Sequence, residues 1–287
     1  MQLGFFAMNT DFAIRPEVIA PALEERGFAS MWVGEHSHIP ASRRTPYPAG
    51  GELPKGYWHL LDPFVSLSAA ASVTSRLRLG TGVCLVLEHD LLALAKAVAT
   101  LDYLSNGRFD FGVGVGWNVE ELANHSSVPF RQRYRALREH IAALREIWSK
   151  EEASFEGQFV RFDALWSHPK PVQQPGPPVW FGAAGRLGMA HSAEWADGWC
   201  PIETGFRDVA VGMERFRQQV REAGRDPLSV PITLFAMGRT DGDKLRRYRD
   251  LGVHTVVLGT AGSVGRDLDR TLPVLDEWAR LVPELSA

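Results

Sequence analysis

The chain has 287 residues, 45% hydrophobic and 23% charged, with a net charge of −3, which is ordinary globular composition and excludes a disordered chain. Its 31 basic and 34 acidic residues form no like-charge block, so no basic footprint for nucleic acid is visible. Two cysteines, Cys84 and Cys200, cannot build a disulfide framework and point to a cytoplasmic setting; no secretory signal opens the chain, and no run reaches the roughly 20 apolar residues that span a bilayer.

Short β-like runs alternate with longer helical ones. Residues 3–8 form a first apolar strand. Residues 16–27 follow as a helix, with Pro16 near its start, Val18, Ala22 and Leu23 on one face and Gly27 closing it. The run 30–34 is the second strand, and a long Pro- and Gly-rich loop covers 35–61. Asp62-Pro63 has the pattern of an N-cap followed by proline at the first helical position, predicting a helix to about residue 75. A third strand at 78–85 leads to a helix at 90–105, whose stripe is Leu91, Leu94, Ala95, Val98 and Leu101. Asn106-Gly107 is a turn, and 108–115 is the fourth strand. The helix at 131–150 carries Tyr134, Leu137, Ile141, Leu144 and Trp148 on its apolar face; a small hairpin at 154–162 and a Pro-rich connector follow. Strands at 179–182, 198–201, 230–236 and 254–259 then alternate with helices at 187–195, 208–223, 241–251 and 266–281.

Eight βα units of this kind predict a parallel sheet closed into a (β/α)8 TIM barrel, a single domain over 1–287 with insertions at about 35–61 and 117–178. An open doubly wound sheet is the rival if two short strands are wrong. In a barrel the chemistry sits at the C-terminal ends of the strands. After the second strand come Glu35-His36-Ser37-His38, where an imidazole serves as base, donor or ligand, or simply satisfies loop backbone groups. The third strand ends in Thr81-Gly82-Val83-Cys84-Leu85; a glycine there marks a bulge, a close approach to a ligand or plain packing relief, and Cys84 is a small buried hydrophobe. In the fourth, alternation turns Gly112, Gly114 and Gly116 inward. That leaves space for a flat ring, or for large side chains from neighbouring strands. The spacing is not a dinucleotide fingerprint. The fifth ends in Gly182-Ala183-Ala184-Gly185-Arg186 just before a helix, which suits an anion, though a tight turn needs no more.

Four stretches together resemble the luciferase-like monooxygenase superfamily, especially its branch of oxidoreductases that use the deazaflavin coenzyme F420. They are 30–36 (SMWVGEH), 79–83 (LGTGV), 97–118 (AVATLDYLSNGRFDFGVGVGWN) and 196–199 (ADGW), in the family's order and over nearly the whole chain. The resemblance implies a flat ring at the barrel mouth, backed by a bulge with a cis bond at Gly82-Val83 and continuing to Leu85. It implies His36 as the catalytic residue beside the ring's reactive edge. The segment Gly182, Ala183, Ala184, Gly185, Arg186 and Leu187 would hold the cofactor phosphate, and Trp117, Asn118 and Glu120 match, more loosely, the loop after the fourth strand. A homodimer is likewise implied. One departure stands out: where the family's sugar-phosphate dehydrogenases carry a carboxylate after the fourth-strand glycine, this chain has Trp117. With Trp32, Trp58, Trp117 and Trp199 near predicted loops or strand ends, an apolar or aromatic small-molecule substrate is expected.

FMN with molecular oxygen is the alternative within the same fold, giving a monooxygenase. A metal-dependent barrel hydrolase would use His36-x-His38, but later strands end in Gly182 and Pro201, and His254 lies at the opposite end; no metal is expected. A flavin binder without turnover is the non-enzymatic option, against which the long 35–61 loop argues as a gate over the site.

Overall fold

The computed structural model describes residues 1–259 and 264–286. The first half alternates strictly: β1 (Gln2–Ala7), α1 (Pro16–Glu25), β2 (Ser30–Val33), α2 (Pro63–Ser72), β3 (Arg78–Thr81), β4 (Cys84–Leu85), α3 (Leu91–Leu104) and β5 (Phe109–Gly114). An excursion follows, with α4 (Val119–His125), α5 (Arg133–Ser149) and the antiparallel hairpin β6 (Ala153–Glu156) and β7 (Arg161–Leu165). The alternation then resumes with β8 (Val179–Phe181), α6 (Arg186–Trp195), β9 (Gly198–Trp199), α7 (Val209–Glu222), β10 (Thr233–Ala236), α8 (Gly242–Asp250), β11 (Thr255–Gly259), α9 (Leu268–Ala279) and α10 (Val282–Ser286).

Parallel strands pair in the order β10-β11-β1-β2-β3-β5-β8-β9, with β4 attached to β5. Bridges Trp199–Ile232 and Ile202–Phe235 join the β9 side to the β10 side and complete the ring. This is the expected (β/α)8 barrel. Local signals set its helix starts. The Asp62 side chain accepts the Val65 amide ahead of α2, and Asp90 accepts the Ala93 amide ahead of α3. The predicted Asn106-Gly107 turn has both residues in the left-handed region, at φ 56° and 75°.

Period-two alternation divides the strands cleanly. Leu3, Phe5, Met31, Val33, Leu79, Phe109, Phe111, Val179, Phe181, Leu234 and Val256 point outward into the large core beneath the helices. Trp32, Trp180, Cys200, Phe235 and Val257 point inward and plug the barrel, with Phe6 and Val83 against them. The inward glycines are the counterpart of these bulky groups. A Cβ at Gly80 would collide with the Trp32 indole and one at Gly198 with Trp180, while one at Gly112 would run into the Thr81 carbonyl and crowd Trp32. The glycine face of β5 therefore makes room for neighbouring side chains at its lower end.

Several expectations need correction. Trp32 is fully buried in the plug, its Nε1 donating to Ser30 Oγ at 2.9 Å, and Trp199 stacks on Phe216 with ring centroids 4.1 Å apart. Trp32 does not reach the mouth, and Trp199 touches the loop after β8 only from beneath, its Nε1 donating to the Ala183 carbonyl at 2.8 Å. The strand expected at 78–85 is two short strands, because the chain breaks its pleat at Gly82 and Val83; the peptide between them is cis, as the resemblance implied. The strand expected at 198–201 shrinks to two residues, and helix α4 lies in a stretch expected to be loop.

Candidate active site

The site is built from the residue after β2 outward. His36 Nδ1 lies 2.9 and 2.8 Å from the two oxygens of Glu121, a fully buried carboxyl on the first turn of α4. Asn118 caps that helix, accepting the Glu121 amide on its side-chain oxygen at 3.4 Å. The imidazole is walled by aromatic rings: Tyr57 at 5.4 Å and Trp117 at 5.8 Å between centroids, with Tyr47 against both. The Tyr47 and Tyr57 hydroxyls are 3.0 Å apart, and burial, then the Tyr47 hydrogen bond, pushes the Tyr57 phenol up. The Arg43 guanidinium lies over the Trp117 ring at 5.6 Å.

Tyr47 and Tyr57 belong to the long loop after β2 and Trp117 to the turn between β5 and α4, and two clasps hold the loop to α4. Glu120 accepts the Arg44 amide at 3.0 Å and the Thr45 hydroxyl at 2.6 Å. These bonds, the hydroxyl first, hold its carboxyl down at about 2. Ser37 Oγ bridges His38 Nδ1 at 2.9 Å and His125 Nε2 at 2.7 Å, and Asn124 donates to His38 Nε2 at 2.8 Å. Each imidazole of the His-x-His pair thus has its own hydrogen-bonding role, and among the described residues no group of three ligating side chains includes either.

Glu35 braces the strand below. Its carboxyl accepts the Leu85 amide at 2.6 Å and meets His89 Nε2 at 2.7 Å. Burial opposes a charge on His89, but the hydrogen bond and charge of Glu35 outweigh it and hold the imidazole above its ordinary value. Burial pushes the Cys84 thiol far up, with Glu35 adding to it, so Cys84 is no thiolate nucleophile.

The opposite side of the mouth is bare. Val83, half-buried at the rim, has one methyl where a Cβ of Gly114 would sit and the other where a Cβ of Gly182 would sit. Beyond Gly182 the chain runs through Ala183 and Ala184 to Gly185, which precedes α6 with no side-chain cap and nothing within 4 Å of its Cβ position. Among the described residues the amides of Ala183, Ala184 and Gly185 donate to no backbone carbonyl. A helix N-terminus with unpaired amides at an open, small-residue turn is suited to an anion.

A luciferase-like monooxygenase family profile matches residues 13–251. The chain belongs to that family. A protein of Mycobacterium tuberculosis named only as uncharacterized is 43% identical over 265 residues, 90% of this chain and 92% of the relative. An F420-dependent glucose-6-phosphate dehydrogenase of Amycolatopsis mediterranei is 30% identical over 254 residues, 87% of this chain and 70% of that one. Among solved structures, monooxygenase RslO1 from Streptomyces bottropensis superposes with a TM-score of 0.77 at 19% identity over the full length of both chains, a likeness of fold.

Of the residues singled out in this luciferase-like sequence, His36 and Trp117 come together, and Val83 meets Gly182 and its loop. Gly82 sits against Phe235 on the barrel axis. Asn118 and Leu85 are buried, the first as a helix cap and the second as a donor to Glu35. Glu120 spends its carboxylate on the loop. Arg186 and Leu187 project outward from the first turn of α6, both exposed. Sequence reasoning noted Glu121 after the fourth strand but gave it no role, and missed Glu88, Tyr47 and Tyr57. A signal existed for the first: Asn118 followed three residues later by Glu121 is the spacing of a helix start.

Proposed function

We propose that the protein is an oxidoreductase that uses coenzyme F420 to move a hydride to or from a small apolar or aromatic substrate, with His36 as the catalytic residue. The observation that carries this is the pairing of two opposite surfaces at one barrel mouth. On one side Val83 offers an apolar ledge beside the bare amides of 183–185. On the other a buried imidazole stands in an aromatic wall. The first suits a flat ring with a phosphate tail, since the amides of 183–185 donate to no carbonyl and nothing crowds the Gly185 Cβ position. Val83 would lie under the ring, and Gly182, Ala183, Ala184, Gly185, Arg186 and Leu187 would hold the phosphate. F420 is supported by the Amycolatopsis relative, which matches most of this chain and is named for that cofactor.

When bound, a deazaflavin supplies hydride transfer at its central ring. The protein supplies placement and a proton path. Glu121 accepts a hydrogen from His36 Nδ1, which fixes the tautomer and leaves Nε2 as an acceptor toward the mouth. In alcohol oxidation Nε2 would take the hydroxyl proton, and the imidazolium so formed would be balanced by the Glu121 carboxylate. In the reverse direction it returns the proton. The rings of Tyr47, Tyr57 and Trp117 exclude water and present a flat apolar surface. Trp117 occupies the place where the family's sugar-phosphate dehydrogenases were noted above to carry a carboxylate, so a sugar phosphate is not the substrate proposed.

Fluorescence titration of the purified protein with F420 and, separately, with FMN tests the cofactor. Tight F420 binding that Gly185→Glu weakens supports the assignment. Preference for FMN replaces it with an oxygen-using monooxygenase, and binding of neither removes the mechanism.

A further inference from the structure

Three carboxyl groups gather behind His36: Glu35 after β2, Glu88 after β4 and Glu121 on α4, the last two brought together where Leu87 packs on Leu122 and all three close enough to act on one another. Glu35 is committed to the Leu85 amide and His89, and Glu121 to His36. Glu88 is different. Its Oε2 is shielded from solvent and has no partner among the described residues, and its Oε1 lies beside Gly116. No lysine or arginine pairs with any of the three among the described residues; their only ion pairs are with His36 and His89. The other titratable groups acting on this cluster are Cys84 and Asp62, which act on the Glu35–His89 side, and His125, which acts from the α4 side. None supplies a fixed positive charge. With His36 neutral, these carboxyls, Glu35 and Glu121 buried and Glu88 half-buried, face at most one imidazolium, His89, so their like charges crowd one another, and the carboxyl with a shielded and unpartnered oxygen, Glu88, is the one that protonation relieves.

We propose that Glu88 holds that proton at neutral pH and donates it in a hydrogen bond to Glu121, so that Glu88, Glu121 and His36 form one hydrogen-bonded chain ending at the barrel mouth. Glu88 is thus a positioning residue. Its hydroxyl occupies one side of the Glu121 carboxylate, which keeps the other side for His36 Nδ1–H and holds the ring in the tautomer with Nε2 free. Burial, then the neighbouring Glu121 and Glu35 carboxyls, pushes Glu88 up to about 9, in the direction the charge count requires. Above that pH a second charge would be forced beside Glu121, and the chain would break. The catalytic consequence rests on the function proposed above; the proton itself belongs to the protein alone.

The test therefore uses the protein without cofactor. Infrared spectroscopy of the wild type should show the carbonyl stretch of a protonated carboxyl at pH 7.5 that disappears as the pH passes about 9. Nitrogen NMR of histidine-labelled protein should show His36 protonated at Nδ1 below that transition and perturbed through it. Glu88→Gln, which keeps a donor and the same shape, should lose the infrared band and the alkaline inflection while retaining the Nδ1–H tautomer. Glu121→Gln should lose the tautomer preference. A wild type with no protonated carboxyl at pH 7.5, an inflection that survives Glu88→Gln, or one metal ion per chain in the purified protein would each overturn the proposal. The infrared measurement on the wild type stands even if a variant does not fold.

Discussion

The two sides of the barrel mouth are opposites in construction. From α4 and the segments after β2, β4 and β5 come ionisable and aromatic side chains: Glu35, His36 and Glu121, each hydrogen-bonded, with Glu88 and Trp117 beside them. After β8 come only Gly182, Ala183, Ala184 and Gly185, with backbone amides that no carbonyl satisfies. The crowded side spends its polar groups on one another and leaves a single imidazole to face a ligand. The open side spends none and leaves its backbone to do so. The contrast separates proton handling from cofactor retention, and each is open to attack on its own.

The largest effect is expected at His36. His36→Gln should lower turnover by about 10²–10⁴-fold, the usual scale for a lost acid–base group, with cofactor affinity nearly unchanged. If affinity falls as steeply as turnover, the division between the two sides is wrong. Gly112→Ala tests the rigid end of the same barrel. Its Cβ would run into the Thr81 carbonyl and the Trp32 indole, so a loss of about 1–3 kcal/mol or more in stability is expected by denaturant unfolding. Gly185→Glu should do the reverse. Nothing lies near its Cβ and its φ of −72° suits any residue, so the melting temperature should hold. A carboxylate where a phosphate is proposed should weaken cofactor binding by about tenfold or more, since like charges brought into contact cost on the order of 1.4 kcal/mol.

Smaller effects should follow at the clasp. Glu120→Gln removes the charge that receives the Thr45 hydroxyl and Arg44 amide, and should raise the substrate KM a few-fold with kcat nearly kept, as expected of a loop that closes rather than reacts. The smallest is a pH slope. Burial holds His125, His140, His191 and His254 below the ordinary imidazole value. The unfolded chain then binds more protons than the native one as pH falls below about 6.5, so the melting temperature should decline from pH 7 to 5. His89, held above its ordinary value by Glu35, works the other way, with stability present at low pH and lost as pH rises through its native value. His140→Gln should flatten the acid decline; an unchanged slope would remove that imidazole from the account.

The barrel was legible because its strands alternate by twos over a helical frame with ordinary caps, such as Asp62-Pro63 and the Gly27 stop. The open side was legible for a related reason: small residues between a strand and a helix are a local pattern, and Gly182–Gly185 is such a pattern. The crowded side was not. His36 stands at a strand end, but Glu121 reaches it from 85 positions further on, and sequence offers no ruler for that distance. Trp32 misled for the converse reason. A tryptophan beside a strand end looks like a binding surface until one knows that Gly80 and Gly112, on two neighbouring strands, have left a hole for it inside.

Val83 carries a consequence for any attempt to redesign the ledge. Its two methyls stand in for the missing side-chain carbons of two different strands. Positions 83, 114 and 182 therefore share one volume, and their substitutions will not add. A methyl gained at Gly114 or Gly182 should be tolerated only when one is surrendered at Val83. Diversity at this ledge is expected to arise as paired exchanges, and a scan of single substitutions would score all three sites as immutable.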